Sequence, residues 1–182
     1  MSGHNKWSQI KHKKGAVDKK KSLTFGKILA AISVAAKTNG ADPSGNPRLR
    51  SLIEKAKENN VPNENIERAL KRANEKELQE FLFEAYGPEG VAILVEAITD
   101  NPNRLIQELR TLAGEVGAKP ADPGSVLWAF TKSDYETGWV AKFPQPIPET
   151  TKQQLQNIID AFEEHDSVQG VITSANNESK LE

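Results

Sequence analysis

Apolar residues recur at helical spacing in three stretches of the first 76 residues. The first stripe covers Ser22–Thr38 and stops at Asn39-Gly40, a helix-terminating pair. The second opens at Asn46-Pro47, which supplies a capping side chain and a proline at the first helical position. The third begins near Pro62-Asn63. The pattern predicts an N-terminal bundle of three helices over 22–76.

Beyond residue 76 the apolar spacing changes to that of strands and helices in alternation. Gly87-Pro88-Glu89-Gly90 is a turn signal between the first two strand-like runs. The predicted strands are 80–86, 91–99, 125–130, 138–143 and 168–173, and the predicted helices are 101–117 and 149–165. From Val91 the order is βαββαβ. The chain is therefore predicted to be an α+β protein, with a ferredoxin-like domain and one extra leading strand over 77–175.

Residues 1–21 contain many lysines and few large apolar side chains. Only Trp7, Ile10 and Val17 could anchor this segment, which is too little apolar area to offset the entropy cost of ordering it. We therefore expect a flexible basic arm over 1–21. The polar residues 176–182 are expected to form a frayed tail.

The near-neutral net charge of −1 hides two halves of opposite sign. Met1–Lys76 contains 17 Lys and Arg against 7 Asp and Glu, whereas Glu77–Glu182 contains 7 against 18. A strongly basic half indicates a polyanionic partner, while the acidic half would repel nucleic acid and favours a protein partner.

Composition argues against most enzyme and membrane classes. The chain has no cysteine, which excludes thiolate nucleophiles and cysteine-based zinc sites. Its longest apolar run, Ile28–Ala36, is far shorter than the roughly 20 residues that cross a bilayer. His4, His12 and His165 form no defensible catalytic set, and the acidic Glu163–Asp166 cluster is interpreted as a solvated helix end. We expect a cytoplasmic, non-enzymatic protein that has no cofactor, metal or membrane contact.

The basic half supplies the candidate nucleic-acid-binding residues. A lysine-rich arm backed by a basic bundle can neutralise several phosphates and release their counterions. The candidates are His4, Lys6, Trp7, Lys11, His12, Lys13, Lys14, Lys19, Lys20, Lys21, Lys27, Arg48, Arg50, Arg68, Lys71 and Arg72, together with Asn103 and Arg104 at the start of an acidic-half helix. Trp7 could stack on a base or dock onto the bundle. Arg104 could contact a phosphate or form a structural salt bridge.

The electrostatic pattern leaves the polymer and the mode of action open. DNA and structured RNA, the ribosome included, fit it equally, and no major-groove reading motif is evident. A second hypothesis is a protein-interaction adaptor whose basic half pairs with the acidic half of a neighbour or of another copy. Trp128 and Trp139 lie on predicted strands and are interpreted as sheet packing.

Several motifs in a fixed order resemble those of the YebC family, which includes the mitochondrial translational activator of cytochrome c oxidase subunit I. The matching stretches are Gly3-His4-Asn5-Lys6-Trp7, Ile10-Lys11-His12-Lys13, Asn46-Pro47-Arg48-Leu49-Arg50, Asn65-Ile66-Glu67-Arg68-Ala69, Tyr86-Gly87-Pro88-Glu89-Gly90-Val91-Ala92, Thr99-Asp100-Asn101 with Asn103-Arg104, and Gly124-Ser125-Val126. The resemblance implies a cytoplasmic regulator of gene expression. Members are labelled DNA-binding transcriptional regulators, and others act in translation at ribosomes, including on proline-rich stretches.

The chain departs from the family pattern at one place. Members carry a third domain inserted between the strand that ends near Phe130 and the strand that starts near Gly138. Here Thr131–Thr137 is only a short loop. The resemblance therefore implies a shortened member that lacks the inserted domain and any function the insert carries.

Overall fold

The computed structural model describes residues 4–75, 77–133 and 138–176, with side chains from residue 18 onward. The chain divides into two compact units, Met1–Glu77 and Leu78–Glu182. No helix within these described ranges combines the length and apolarity that a membrane crossing requires.

The first unit is a bundle of three helices. They are α1 (His4–Asn39), α2 (Pro47–Glu58) and α3 (Asn63–Lys71). α1 packs against both α2 and α3, and the apolar stripes of all three helices form one core that includes the fully buried Ile32 and Leu49. The Ser33 hydroxyl donates to the Ala69 carbonyl at 3.1 Å, which ties α1 to α3. The predicted three-helix bundle is present.

The helical backbone extends further toward the N-terminus than the sequence pattern indicates. Residues 1–21 were expected to lie outside regular structure, yet α1 begins at His4. No proline occurs between His4 and Asn39, and the segment is rich in lysine, which has good helix propensity. A helix that is nucleated by its packed part, from Phe25 onward, adds residues at little cost. The flexibility of this segment stays a prediction.

Asn46 joins the end of α1 to the start of α2. Its side-chain oxygen accepts from the Leu49 N–H at 3.0 Å, which is the predicted N-cap, and Pro47 occupies the first helical position. Its side-chain nitrogen donates to the carbonyls of Ala35 and Gly40, both at 2.9 Å. Asn46 is 0% exposed, and its bonds to Leu49 and Ala35 are buried, whereas the bond to Gly40 is partly buried. This residue fixes the angle at which the chain leaves α1.

The second unit is built on a four-stranded sheet with two helices on one face. Its strands are β1 (Gln79–Tyr86), β2 (Ala92–Thr99), β3 (Lys119–Pro120), β4 (Phe130–Lys132), β5 (Trp139–Ala141) and β6 (Val168–Thr173), and its helices are α4 (Pro102–Val116) and α5 (Glu149–Glu163). The sheet order is β3-β1-β2-β6, with antiparallel pairing throughout. α4 and α5 cover one face over a core that includes Ile93, Leu109 and Phe162.

The opposite face of the sheet is covered by a separate two-stranded hairpin, β4 with β5. Leu94 of β2 points to this side and packs with Val126, Ala129 and Phe130. β2 is therefore buried on both faces, which accounts for its almost uninterrupted apolar sequence.

A buried carboxylate organises the segment that leads into this hairpin. Glu84 of β1 is 5% exposed, and its oxygens accept from the backbone N–H groups of Gly124, Val126 and Leu127 at 2.6, 2.7 and 2.9 Å. The Tyr86 hydroxyl donates to the Ser125 carbonyl of the same segment at 2.9 Å. Residues 124–127 thus wrap around one side chain of the neighbouring strand.

The α+β class, with helices preceding the sheet, is confirmed, but two details of the second unit differ from expectation. The predicted strand Ser125–Phe130 is wrong up to residue 129, because 127–129 form a 3-10 turn and β4 begins only at Phe130. The ferredoxin-like pairing also differs, because the leading strand β1 pairs with β2, while β4 and β5 form their own sheet. Because only a tight turn separates β1 from β2, their pairing costs less loop-closure entropy than pairing with a strand far away in the sequence.

Candidate nucleic-acid interface

The last turn of α3 and its C-cap residue, Arg72, present three cations on one exposed face. Arg68, Lys71 and Arg72 have i, i+3 and i+4 spacing, which places their side chains side by side on a helix. They lie opposite Ile66 and Leu70, which face the core, and all three are exposed. We refer to Arg68, Lys71 and Arg72 as the α3 basic patch.

Three acidic residues, Glu64, Glu67 and Glu75, lie within one helical turn of this patch. Arg72 forms an exposed ion pair with Glu75 at 3.7 Å, a distance at which the energetic gain is small. Among the described residues, no carboxylate oxygen lies within 4.0 Å of the charged nitrogens of Arg68 or Lys71. The two side chains are therefore available for an external anion.

The two candidate arginines of α2 lie on different flanks of the helix. Arg48 and Arg50 are two residues apart, about 200° around the helix axis, so they cannot face the same surface. Arg50 donates to the carbonyls of Pro43 and Ser44, both at 3.2 Å. It thereby secures the loop before α2, and part of its donor capacity is used within the chain.

α1 carries the remaining candidate lysines of the first unit. Lys19 and Lys20 are exposed, and Lys27 is half-buried. Lys21 lies on the core side of the helix but stays exposed, with its ammonium 5.5 Å from the ring centre of Phe25. The side chains of a further set lie outside the described residues: His4, Lys6, Trp7, Lys11, His12, Lys13 and Lys14.

Arg104 of α4 is held by acidic residues of its own unit. Its guanidinium is 3.1 Å from Asp100 and 3.7 Å from Glu108, and Glu108 is in turn 3.4 Å from His165. Asn101 caps the helix by accepting from the Arg104 N–H at 3.1 Å, and Asn103 is exposed. Of the two roles considered for Arg104, this geometry favours the structural salt bridge.

The candidate residues therefore fall into separate groups. The α3 basic patch is one contiguous surface, whereas Arg48 and Arg50 diverge, and Asn103 and Arg104 belong to the other compact unit. The prediction that Trp128 packs in a sheet is wrong, because its ring is exposed. Nothing in its local sequence distinguishes it from Trp139, which is half-buried against the hairpin core. In the parts of the chain that the structure describes, no group of three acidic or histidine side chains could hold a metal ion.

Sequence comparison assigns both units to one family. The model of the TACO1/YebC protein N-terminal domain matches residues 5–76, and that of the TACO1/YebC second and third domain matches residues 78–135. This chain belongs to the TACO1/YebC family. The division between the two matches lies at the boundary between the two compact units.

Relatives within the TACO1/YebC family carry regulatory names. A "probable transcriptional regulatory protein" of Trichlorobacter lovleyi is 51% identical over 136 residues, which cover 72% of this chain and 55% of the relative. A protein of the same name from Pseudothermotoga lettingae is 52% identical over 136 residues, covering 72% and 54%. The chain thus spans about half the length of the curated relatives it matches.

A solved structure is similar to both units of this TACO1/YebC member. The crystal structure of a conserved hypothetical protein from Aquifex aeolicus aligns with a TM-score of 0.77 at 28% identity, covering 88% of this chain and 93% of that chain. The second family match ends at residue 135, within the six residues 133–138 that separate β4 from β5. This is the place where the sequence predicts that the inserted domain is missing, and six residues are too few to form one.

Proposed function

We propose that this protein is a nucleic-acid-binding regulator of gene expression, with duplex DNA as the first candidate polymer. The observation that carries the proposal is the α3 basic patch, whose cations adjoin one another on an exposed face and of which Arg68 and Lys71 have no described acidic partner. The excess of basic residues in Met1–Lys76 supports it. The regulatory names of the relatives point to the same class of function.

The chemistry of the patch fits the phosphate backbone better than it fits base edges. Phosphate contacts position a protein on nucleic acid without reading its sequence, and each neutralised phosphate releases bound counterions. On duplex DNA each such contact contributes about −0.9 to the slope of log affinity against log salt. Three cations should therefore account for a slope of roughly −3.

Changing all three patch cations to glutamine tests the proposal directly. The triple variant Arg68→Gln, Lys71→Gln, Arg72→Gln should lose affinity for duplex DNA by about 100-fold near 0.15 M salt, and its salt slope should become shallower by roughly 3. Binding is measured with the full chain by fluorescence anisotropy over several salt concentrations. The matched control, Lys37→Gln, Lys55→Gln, Lys57→Gln, makes the same charge change at exposed positions of the same unit. If both triples lose affinity equally, the patch is not an interface.

Competition among polymers identifies the regulated step. Ribosomes, structured ribosomal RNA and duplex DNA are offered to the full chain at the same salt concentration. Preference for one duplex sequence supports transcriptional regulation, and preference for ribosomes or their RNA makes the protein a translation factor. Absence of binding to all three contradicts the proposal and favours the protein-interaction adaptor.

The lysines of the N-terminal part of α1 are expected to contribute in the same non-specific manner. Changing Lys11, Lys13 and Lys14 to Glu should weaken binding by a similar factor for every sequence tested, since these side chains would contact phosphates. The measurement compares affinities for several unrelated duplexes. A loss confined to one sequence would instead indicate base reading, and unchanged affinity would remove this segment from the interface.

A further inference from the structure

The hairpin of the second unit exposes two aromatic rings that touch each other. Trp128 is 62% exposed and Phe143 is 64% exposed, and their ring centroids are 6.2 Å apart at an interplanar angle of 42°. Trp128 lies in the turn directly before β4 and Phe143 lies just after β5, and the Lys142 N–H donates to the Ala129 carbonyl at 2.8 Å between these two segments. The two rings form one continuous apolar surface open to solvent.

This surface is unusual within the described ranges of the chain. The large hydrophobic side chains that are exposed there are Trp128, Val140 and Phe143, and all three belong to the hairpin region. Water contact with large aromatic rings is unfavourable, so such a concentration marks a binding surface more often than a scattered set would.

The Trp128 ring and the backbone of Phe143 are held in place before any ligand arrives. The Trp128 indole N–H donates to the Ser125 carbonyl at 2.7 Å, and residue 125 belongs to the segment that Glu84 organises. Phe143 is followed by Pro144, which restricts its backbone. Because the indole N–H is already bonded, the ring faces are what Trp128 offers to a partner. Such a preorganised apolar surface loses little entropy on binding.

One lysine lies next to the ring pair although the unit as a whole is acidic. Residues 124–148 contain Lys132 and Lys142, balanced in number by Asp134 and Glu136 of the sequence that connects β4 to β5, and Lys142 directly precedes Phe143. The Lys132 ammonium lies 5.7 Å from the ring centre of Trp139. No carboxylate among the described residues pairs with Lys142, which directly precedes Phe143. An exposed ring pair with a lysine directly beside it can stack on a base and contact the phosphate next to that base.

We propose that Trp128 and Phe143 form a stacking platform for the unpaired bases of single-stranded nucleic acid, with Lys142 contacting an adjacent phosphate. Aromatic faces stack on any base, whereas duplex bases already stack on their neighbours and cannot reach the platform. The proposal rests on the proposed function in requiring a nucleic-acid partner. It adds a second contact surface, on the other compact unit, that selects for single strands.

The test compares a single strand with a duplex. Trp128→Ala and Phe143→Ala should each weaken binding of the full chain to a 12-nucleotide oligouridylate by about tenfold, and the double variant by more than either one. Affinity for a blunt 12-base-pair duplex should stay unchanged. The salt slope should also stay unchanged, because stacking releases no counterions. Trp128→Phe, which retains a ring, should recover most of the single-strand affinity.

Val140→Ala is the matched control, because it removes exposed apolar surface from the same hairpin without removing a ring. Unchanged single-strand affinity in the ring variants would overturn the proposal and assign the rings to a protein contact. An equal loss on the duplex would also overturn it. Failure of the stacking platform can be distinguished from failure of the α3 basic patch as a phosphate interface. Loss on the single strand in ring variants, with no effect of the patch triple, would contradict the proposed phosphate interface and leave the platform standing.

Discussion

Replacing Glu84 with glutamine is expected to lower the free energy of unfolding of the second unit by about 3 kcal/mol. The carboxylate is buried and accepts three backbone N–H bonds, from Gly124, Val126 and Leu127. Hydrogen bonds to a charged acceptor each contribute roughly 1.5–3 kcal/mol, and a buried donor left unpaired costs about 1–3 kcal/mol. Glutamine keeps one acceptor oxygen but directs an amide N–H₂ group at donors, so at least one of the three bonds is lost.

Urea unfolding of the full-length variant measures this loss, and amide hydrogen exchange localises it. Protection should fall most at Gly124, because the amide oxygen can still accept from Val126 and Leu127, which share one carboxylate oxygen, and the N–H₂ group then faces the Gly124 N–H. The same substitution at the exposed Glu115 is the control and should change stability by less than about 0.5 kcal/mol. A Glu84→Gln effect as small as that of the control would mean that residues 124–127 hold their conformation without the carboxylate.

The role of Glu84 explains why this part of the fold could not be predicted from the sequence. Residues 126–130 form a short continuous apolar run, which is consistent with a buried strand. The residue that decides the conformation lies about 40 positions earlier on β1, and its burial is a tertiary property. The same tertiary context leaves Trp128 on the surface. The local pattern therefore predicted the wrong element and the wrong environment for one tryptophan.

Elements defined by local signals were predicted well. Both Asn-Pro pairs cap a helix as expected, at Asn46 and at Asn101, because a cap depends on residues within one turn. The last strand, 168–173, has the predicted bounds. It follows a helix end and is rich in β-branched residues, which favour a strand.

The candidate interface residues also divide into those whose arrangement follows from local sequence and those whose arrangement does not. The contiguity of the α3 basic patch follows from helical spacing and was available from the sequence. The pairing of Arg104 with Asp100 and Glu108, each four residues away, is also local, but sequence alone could not weigh it against an external phosphate. The attachment of Arg50 to the loop before α2 depends on how that loop turns, which spacing does not indicate.

Replacing Asn46 with alanine is expected to destabilise the first unit by about 3 kcal/mol. Loss of the cap on the Leu49 N–H costs about 1 kcal/mol. Loss of the side-chain donors leaves the buried Ala35 carbonyl unpaired, at about 1–3 kcal/mol, whereas the carbonyl of the exposed Gly40 can bond to water instead. Asn46→Asp should be comparably harmful, because it keeps the cap but places a carboxylate against two carbonyl oxygens.

Asn101→Ala separates the two contributions, because Asn101 caps α4 in the same Asn-Pro context but is exposed. Its side chain accepts from the Arg104 N–H, and its removal should cost only the capping energy, about 1 kcal/mol. The two variants should therefore lose different amounts of unfolding free energy in thermal and urea unfolding. The difference is the contribution of the two hydrogen bonds that the Asn46 side chain donates. Equal losses would mean that Asn46 acts only as a helix cap. A larger loss for Asn46→Ala, matched by Asn46→Asp, would establish that its amide nitrogen holds α1 to α2.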